Sequence, residues 1–194
     1  MGAAAGAARA GMGRWNAVMS GGTNAECRER GEVTAAGTAK SKGGAGFFRA
    51  VLEGPVSRGG GPWEGRVTRV GGHDCVLLFL SIGNPGADTG PASRTVLSQN
   101  CWGGASSYIR GVLRPDLRFK LEPGETIWWR YNPAAGTVDA RVEGRCRVVR
   151  LFDGAVGDEV YFGFFLDYDA EIQLIDWRCV ADAAPAPAPA PATV

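Results

Sequence analysis

The stretch QNCWGGASSYIR, residues 99–110, gathers side chains of the types that contact ligands. Trp102 and Tyr108 offer flat aromatic faces for stacking. The polar side chains that accompany them are Asn100, Ser106, Ser107 and Arg110. This combination suits a carbohydrate or a peptide, because both present C–H faces beside hydroxyl or amide edges. The alternative is structural: the two glycines allow a turn, and the segment then enters a strand.

Three acids, Asp167, Asp169 and Glu171, form a D-x-D-x-E pattern. If the chain is extended here, all three side chains lie on one face, where like charges raise the pKa of at least one carboxyl group. The pattern is typical of calcium ligands or of a carboxylate pair that hydrolyses glycosides. Because it lies between two apolar stretches, a solvated hairpin turn is the third interpretation.

His73 is the only histidine, so a Ser-His-Asp or Cys-His catalytic set would have to use it. The sequence contains no G-x-S-x-G motif and no Gly-rich turn between a strand and a helix of the kind that binds nucleotide cofactors. The five cysteines form no C-x-x-C motif, which argues against a zinc site and a disulfide scaffold and predicts buried, reduced thiols. We expect no cofactor, with calcium at the three acids as the exception.

The elements that must position these residues all follow strand patterns. Val138, Ala140 and Val142 alternate with polar residues, which indicates one face on a core and one in water. The run YFGFFL is apolar on both faces and belongs in the middle of the structure. The ten predicted strands are 46–53, 63–70, 74–82, 94–98, 106–113, 125–131, 137–143, 146–152, 159–167 and 171–178. Short Gly/Pro/Asn/Asp-rich connections without helices predict an all-β fold, an antiparallel β-sandwich or jelly roll of about ten strands with disordered termini.

Two pairs of adjacent aromatic residues, Trp128–Trp129 and Phe164–Phe165, lie in these strands. Neighbouring residues of a strand point to opposite faces, so one member of each pair must leave the core layer. This predicts a surface that contacts a partner or a second copy of the chain.

Composition divides the chain of 194 residues into three parts. Residues 1–45 are rich in Gly and Ala and predict a disordered arm, residues 46–180 form the β-sandwich domain, and residues 181–194 are an Ala-Pro tail. A net charge of +1 provides no field to attract nucleic acid, and no apolar run is long enough to span a membrane. No secretory signal is recognisable, so we expect a cytoplasmic protein, although Arg9 and Arg14 without nearby acids also occur in organelle transit peptides.

The order of several short pieces resembles the farnesoic acid O-methyltransferase-like domain. The matching pieces are HDCVLLF (73–79), WGGASSYIR (102–110), ETIWWRY (125–131), GTVDARVEG (136–144), VYFGFF (160–165) and IDW (175–177). The resemblance covers about residues 47 to 178, and the insertion at 83–93 departs from it. It implies a β-sandwich that serves as a recognition or interaction module, and by the family's name it raises methyl transfer as an activity.

The sequence therefore predicts a non-enzymatic module that binds carbohydrate or protein through loops at one end of a β-sandwich. A self-associating assembly protein, in which the adjacent aromatics fill a subunit interface, is one alternative. An enzyme is the other, either a methyltransferase or a glycoside hydrolase.

Overall fold

The computed structural model describes residues 13–18, 20–22, 31–42, 47–57, 60–72, 76–82, 96–101, 107–110, 112–117, 121–154 and 159–180. Within these ranges there are fifteen strands and one short 3-10 turn, Pro115–Leu117, and no α-helix. Accordingly, the described residues include no helix that could cross a membrane. The strands are β1 (Gly21–Gly22), β2 (Gly31–Val33), β3 (Thr38–Ser41), β4 (Phe48–Val51), β5 (Val56–Ser57), β6 (Trp63–Gly71), β7 (Val76–Ile82), β8 (Val96–Cys101), β9 (Tyr108–Ile109), β10 (Val112–Leu113), β11 (Thr126–Asn132), β12 (Thr137–Val142), β13 (Val149–Asp153), β14 (Glu159–Leu166) and β15 (Glu171–Cys179).

The strands form two antiparallel sheets. Sheet I has the order β1-β4-β14-β7-β8-β9-β10, with β5 also pairing with β14. Sheet II has the order β13-β12-β11-β6-β15-β3-β2. The predicted all-β fold, an antiparallel sandwich, is confirmed. Each of the ten predicted strand segments contains a strand, and 106–113 contains two, β9 and β10.

The alternation read from the sequence of β11 and β12 matches their burial. Ile127, Trp129 and Tyr131 are buried on β11. The three residues opposite them on β12 are buried as well: Val142, Ala140 and Val138. These side chains meet the inner face of sheet I, where Trp129 lies edge-on to Phe164 with ring centroids 5.5 Å apart. The core is therefore the layer between the two sheets.

Strand β14 is buried on both faces, as its sequence predicts. Phe162 and Phe164 point into the core between the sheets, whereas Phe165 belongs to the opposite face. There Phe165 packs against Phe79 and Phe47 at centroid distances of 4.5 and 5.9 Å. The aromatic that leaves the core layer is thus covered within the chain.

The pair Trp128–Trp129 divides in the same way. Trp129 is fully buried beside Gly65, where any added Cβ would lie 2.1 Å from the indole ring. Trp128 faces outward, half-buried, with the Arg141 guanidinium 5.0 Å from its ring centroid. A cation covers this aromatic face, so neither aromatic pair requires a second chain. Self-association stays a prediction.

Part of the stretch predicted as a disordered arm lies in the sheets. Trp15 is buried, donates its indole N–H to the Gly37 carbonyl at 2.6 Å, and packs edge-on to Phe164. Strand β1 pairs with β4, and β3 pairs with β15. This part of the chain is poor in apolar side chains, but Trp15 and regular backbone pairing hold it in the sheets. The sequence did not reveal these strands because neither feature shows in the composition.

Candidate binding cleft

One wall of the cleft begins with the hairpin of β9 and β10. Ile109 pairs with Val112, and Arg110 occupies the turn with a φ of 49°, a left-handed conformation that is uncommon for a residue other than glycine. Ile109 packs against the core, whereas Val112 and Leu113 are 63% and 49% exposed. The hairpin therefore presents apolar side chains to solvent at one edge of sheet I.

The 3-10 turn that follows is tied to this hairpin. The Arg114 amide donates to the Ser107 carbonyl at 2.7 Å, and the Ser107 hydroxyl donates to the Leu117 carbonyl at 3.3 Å. Leu117 is buried and anchors the turn in the core. Ser107 was predicted to contact a ligand; it is instead fully buried and holds the turn.

The other wall is β13, the strand at the edge of sheet II. Val138 pairs with Phe152 and Asp139 with Arg150, so Leu151 is an extra residue in a β-bulge. Both Leu151 and Phe152 are buried as a result. The bulge turns Arg150 toward solvent while two consecutive apolar residues fix the strand to the core.

Between the two walls lies a cleft of about 550 Å³, which we call the β9–β13 cleft. Its lining residues are Ile109, Arg114, Asp116, Leu117, Arg147, Val148, Val149, Arg150 and Asp153. Val148 is 54% exposed, although it is a β-branched apolar residue that strands usually bury. The cleft thus combines an apolar floor with charged rims.

At one end of the cleft two arginines, Arg114 and Arg147, lie near one aspartate, Asp116. Arg114 donates to both carboxylate oxygens of Asp116, at 3.0 and 2.8 Å. This hydrogen-bonded pairing lowers the pKa of Asp116 and raises the pKa of Arg114. Arg147 donates to the Asp116 backbone carbonyl at a long 3.5 Å, and no carboxylate of the described residues accepts a hydrogen bond from it.

At the other end two carboxylates face the one arginine that lines the cleft. Arg150 donates to both Asp139 and Asp153, and the hydrogen bond to Asp139 is the main reason why the pKa of Arg150 is raised. Arg110 lies nearby, with its guanidinium carbon 6.0 Å from the centre of the Phe152 ring. The surplus positive charge of the cleft is therefore at the Arg147 end.

The other residues of the stretch predicted to bind a ligand have different positions. Tyr108 and Arg110 belong to the exposed hairpin beside the cleft. Asn100 lies in β8, opposite Leu78, and only its backbone is described. Trp102 and Ser106 lie outside the described residues, as does the insertion at 83–93.

The three acids Asp167, Asp169 and Glu171 do not share one extended strand. Asp167 accepts a hydrogen bond from the Tyr168 amide at 2.9 Å, and Tyr168 has a φ of 46°, so the chain turns between β14 and β15. Glu171 begins β15 and pairs with Lys40 at 2.9 Å, which raises the pKa of Lys40. In the described part of the chain no three His, Cys, Asp or Glu side chains are grouped so that they could hold a metal ion. The arrangement matches the hairpin turn; calcium binding stays a prediction.

The remaining candidate residues can be placed only in part. His73 lies outside the described residues. Cys146 and Cys179 are free, as expected for reduced thiols, but both are exposed rather than buried. Cys146 belongs to the irregular segment before β13, and Cys179 is the last residue of β15 at the edge of the core.

None of the nine residues that line the cleft was predicted as a site residue from the sequence. Arg114, Arg147 and Val148 carry no motif, and the run RCRVVR (145–150) mixes arginine with apolar residues as many strands do. The one available signal was the density of arginine in this run. This run forms part of a cleft only when the 3-10 turn packs against it in the folded chain.

No protein-family model and no curated protein sequence matches this chain. Solved structures do match its fold. The SPRY domain of human HERC1 has a TM-score of 0.66 at 12% identity, over 84% of this chain and 97% of that one. The NHR domain of Neuralized from Drosophila melanogaster has a TM-score of 0.54 at 9% identity, over 88% and 95% of the two chains. Basic winged bean lectin with Tn-antigen has a TM-score of 0.56 at 11% identity, over 87% and 94%.

These likenesses establish the fold that the chain shares with SPRY, NHR and lectin domains. They agree with the β-sandwich module that the resemblance to the farnesoic acid O-methyltransferase-like domain implied, but they do not confirm membership of that family. A shared fold does not specify a ligand, so the ligand must be inferred from the residues of the cleft.

Proposed function

We propose that the chain is a recognition module that binds a segment of another protein in the β9–β13 cleft. The observation that carries this proposal is the open cleft of about 550 Å³ with exposed apolar residues at and beside it. Val148 lines the cleft, and Val112 and Leu113 flank it on the hairpin; each is about half exposed or more. Clustered apolar side chains rimmed by polar ones are typical of protein-binding surfaces.

The chemistry of the lining favours binding over catalysis. The ionisable side chains that line the cleft are arginines and aspartates. Arg114 lowers the pKa of Asp116, so this carboxyl group is a poor proton donor or acceptor near neutral pH. The same guanidinium and apolar groups are well suited to hold a polypeptide, whose side chains offer both kinds of partner.

The test is a selection of random displayed peptides on the full chain. Enriched peptides are then measured against Val148→Ser and Val112→Ser, each of which removes an exposed apolar side chain with little effect on the core. Val112 pairs with the cleft-lining Ile109 and therefore lies on the same face of the hairpin. Val70→Ser and Ile175→Ser are the matched controls, because both residues are exposed apolar side chains outside the cleft lining, 50% and 39% exposed. We expect about tenfold weaker binding for the cleft variants and unchanged binding for the controls.

Two results contradict the proposal. One is a selection that enriches no peptide. The other is a set of enriched peptides that bind the cleft variants as tightly as the original chain. Either result would mean that the β9–β13 cleft does not bind a protein segment.

A carbohydrate is the second candidate ligand, and Tyr108 is the observation that favours it. Tyr108 is 36% exposed on the same hairpin as Arg110, so its ring could stack against a sugar ring with a charged donor on the same hairpin. The likeness to a lectin that was solved with the Tn-antigen is consistent with this candidate. A glycan array probed with the original chain and with Tyr108→Ala, with and without calcium, tests it: binding that requires Tyr108 supports it, and an empty array contradicts it.

A further inference from the structure

The distribution of charge in the β9–β13 cleft restricts the chemistry of its ligand. At one end two guanidinium groups, of Arg114 and Arg147, lie near a single carboxylate, that of Asp116. Arg114 already occupies both oxygens of that carboxylate. Within the part of the chain that the structure describes, Arg147 makes one long hydrogen bond, to a backbone carbonyl. Most of its five donors are therefore available to a partner.

This cation lies directly beside an exposed apolar side chain. Val148 follows Arg147 in the chain and is 54% exposed. Ile109 and Leu117 line the facing wall. A ligand with an anionic group next to an apolar group could therefore place the first on Arg147 and the second on Val148.

The far end of the cleft does not repeat this arrangement. Arg150 there faces two carboxylates, of Asp139 and Asp153. The surplus of positive charge is confined to one end, so one anionic group is sufficient to balance it.

We propose that the ligand is a protein segment in which a carboxylate side chain is adjacent to an apolar one, a proposal that rests on the function proposed above. The carboxylate accepts hydrogen bonds from Arg147, whose planar guanidinium matches two carboxylate oxygens. The apolar neighbour covers Val148 and faces Ile109 and Leu117. The ion pair is partly exposed, so its contribution decreases as the salt concentration rises.

The test compares the peptides that a random displayed library yields on the full chain and on Arg147→Glu. We expect peptides selected on the original chain to contain Asp or Glu next to an apolar residue, and those selected on Arg147→Glu to contain Lys or Arg at that position. Replacing the acid by its amide in a synthetic copy of a selected peptide should weaken binding about tenfold. Arg141→Glu is the matched control, because it reverses an exposed arginine on the outer face of sheet II and should leave the selected sequences acidic.

The outcomes separate this inference from the proposed function. Peptides without acidic enrichment that still lose binding with Val148→Ser overturn the carboxylate assignment and leave the protein-binding cleft standing. A selection without any binders overturns both. A sulfated oligosaccharide is assayed in parallel: if it binds through Arg147 where no peptide does, the ligand is not a protein segment.

Discussion

The outer face of sheet II and the β9–β13 cleft are both rich in arginine, but they use it differently. On the sheet face, Arg66 donates to both oxygens of Glu143 at 2.7 and 3.1 Å. Arg130 lies 3.9 Å from Glu64, and Arg178 lies 3.3 Å from Asp176. In the cleft, no carboxylate of the described residues accepts a hydrogen bond from Arg147, which lies beside the exposed Val148.

This difference shows that the number of charges does not identify a binding surface. A guanidinium that already has a carboxylate must lose that partner before it gains another, so the net benefit of a ligand is small. A guanidinium with spare donors can bind a ligand's carboxylate without first losing a carboxylate partner of its own. This contrast is the reason why we propose the cleft, rather than the charged face, as the site of recognition.

The largest expected effect comes from removing the anchor of one cleft wall. Leu117→Ala deletes a buried side chain and should lower the free energy of unfolding by about 2–5 kcal/mol. The 3-10 turn that carries Asp116 should loosen, and peptide binding should be lost with it. Chemical denaturation measures the stability change, with the exposed Val148→Ala as control, expected to change it by less than about 0.5 kcal/mol. Equal effects of the two changes would mean that the wall is not anchored through Leu117.

The second effect is on binding alone. Arg147→Glu replaces an attraction for the ligand's carboxylate by a repulsion, and we expect about a hundredfold weaker binding of a selected acidic peptide. Fluorescence anisotropy measures it, with Arg141→Glu on the outer face of sheet II as the comparison. If the two reversals weakened binding equally, the distinction between cleft and face would be lost.

A third change should strengthen binding. Asp116→Asn removes the carboxylate that competes with the ligand for Arg114 and Arg147, and we expect a gain of about threefold in affinity for the same peptide. The gain should disappear at high salt, because the groups are exposed. Weaker binding of this variant in anisotropy titrations would show that Asp116 itself contacts the ligand.

The smallest effect belongs to the sheet face. A double-mutant cycle of Arg66→Ala and Glu143→Ala should give a coupling free energy below about 1 kcal/mol, because the pair is exposed on both sides. Denaturation at low and high salt measures it. Neither change should alter peptide binding, and a change in affinity would extend the recognition surface onto sheet II.

The sequence predicted the sandwich because its core strands obey local rules. Alternation on β11 and β12, and the doubly apolar β14, depend only on which side chains face the core. Leu151 and Phe152 could not be read in this way, because a bulge makes two consecutive residues face inward. Strands β1–β3 were missed because they depend on Trp15 and on pairing with distant strands rather than on composition.

The cleft was harder to predict than the fold. Its walls come from the facing edges of two different sheets, so Ile109 and Val149 are neighbours only in the folded chain. The stretch around Tyr108 was predicted as a ligand site for its residue types, and the structure places Tyr108 and Arg110 beside the cleft. The exposure of Val148 and the spare donors of Arg147 depend on tertiary pairing, which no local pattern encodes.

The most direct test is an NMR titration of the full chain with a selected peptide, following methyl groups and the indole N–H of Trp128. We expect the Val148, Ile109 and Leu117 methyl signals to shift, and the Trp128 signal on the outer face of sheet II to stay unchanged. Shifts centred on Trp128, with the cleft methyls unmoved, would contradict the assignment of recognition to the β9–β13 cleft.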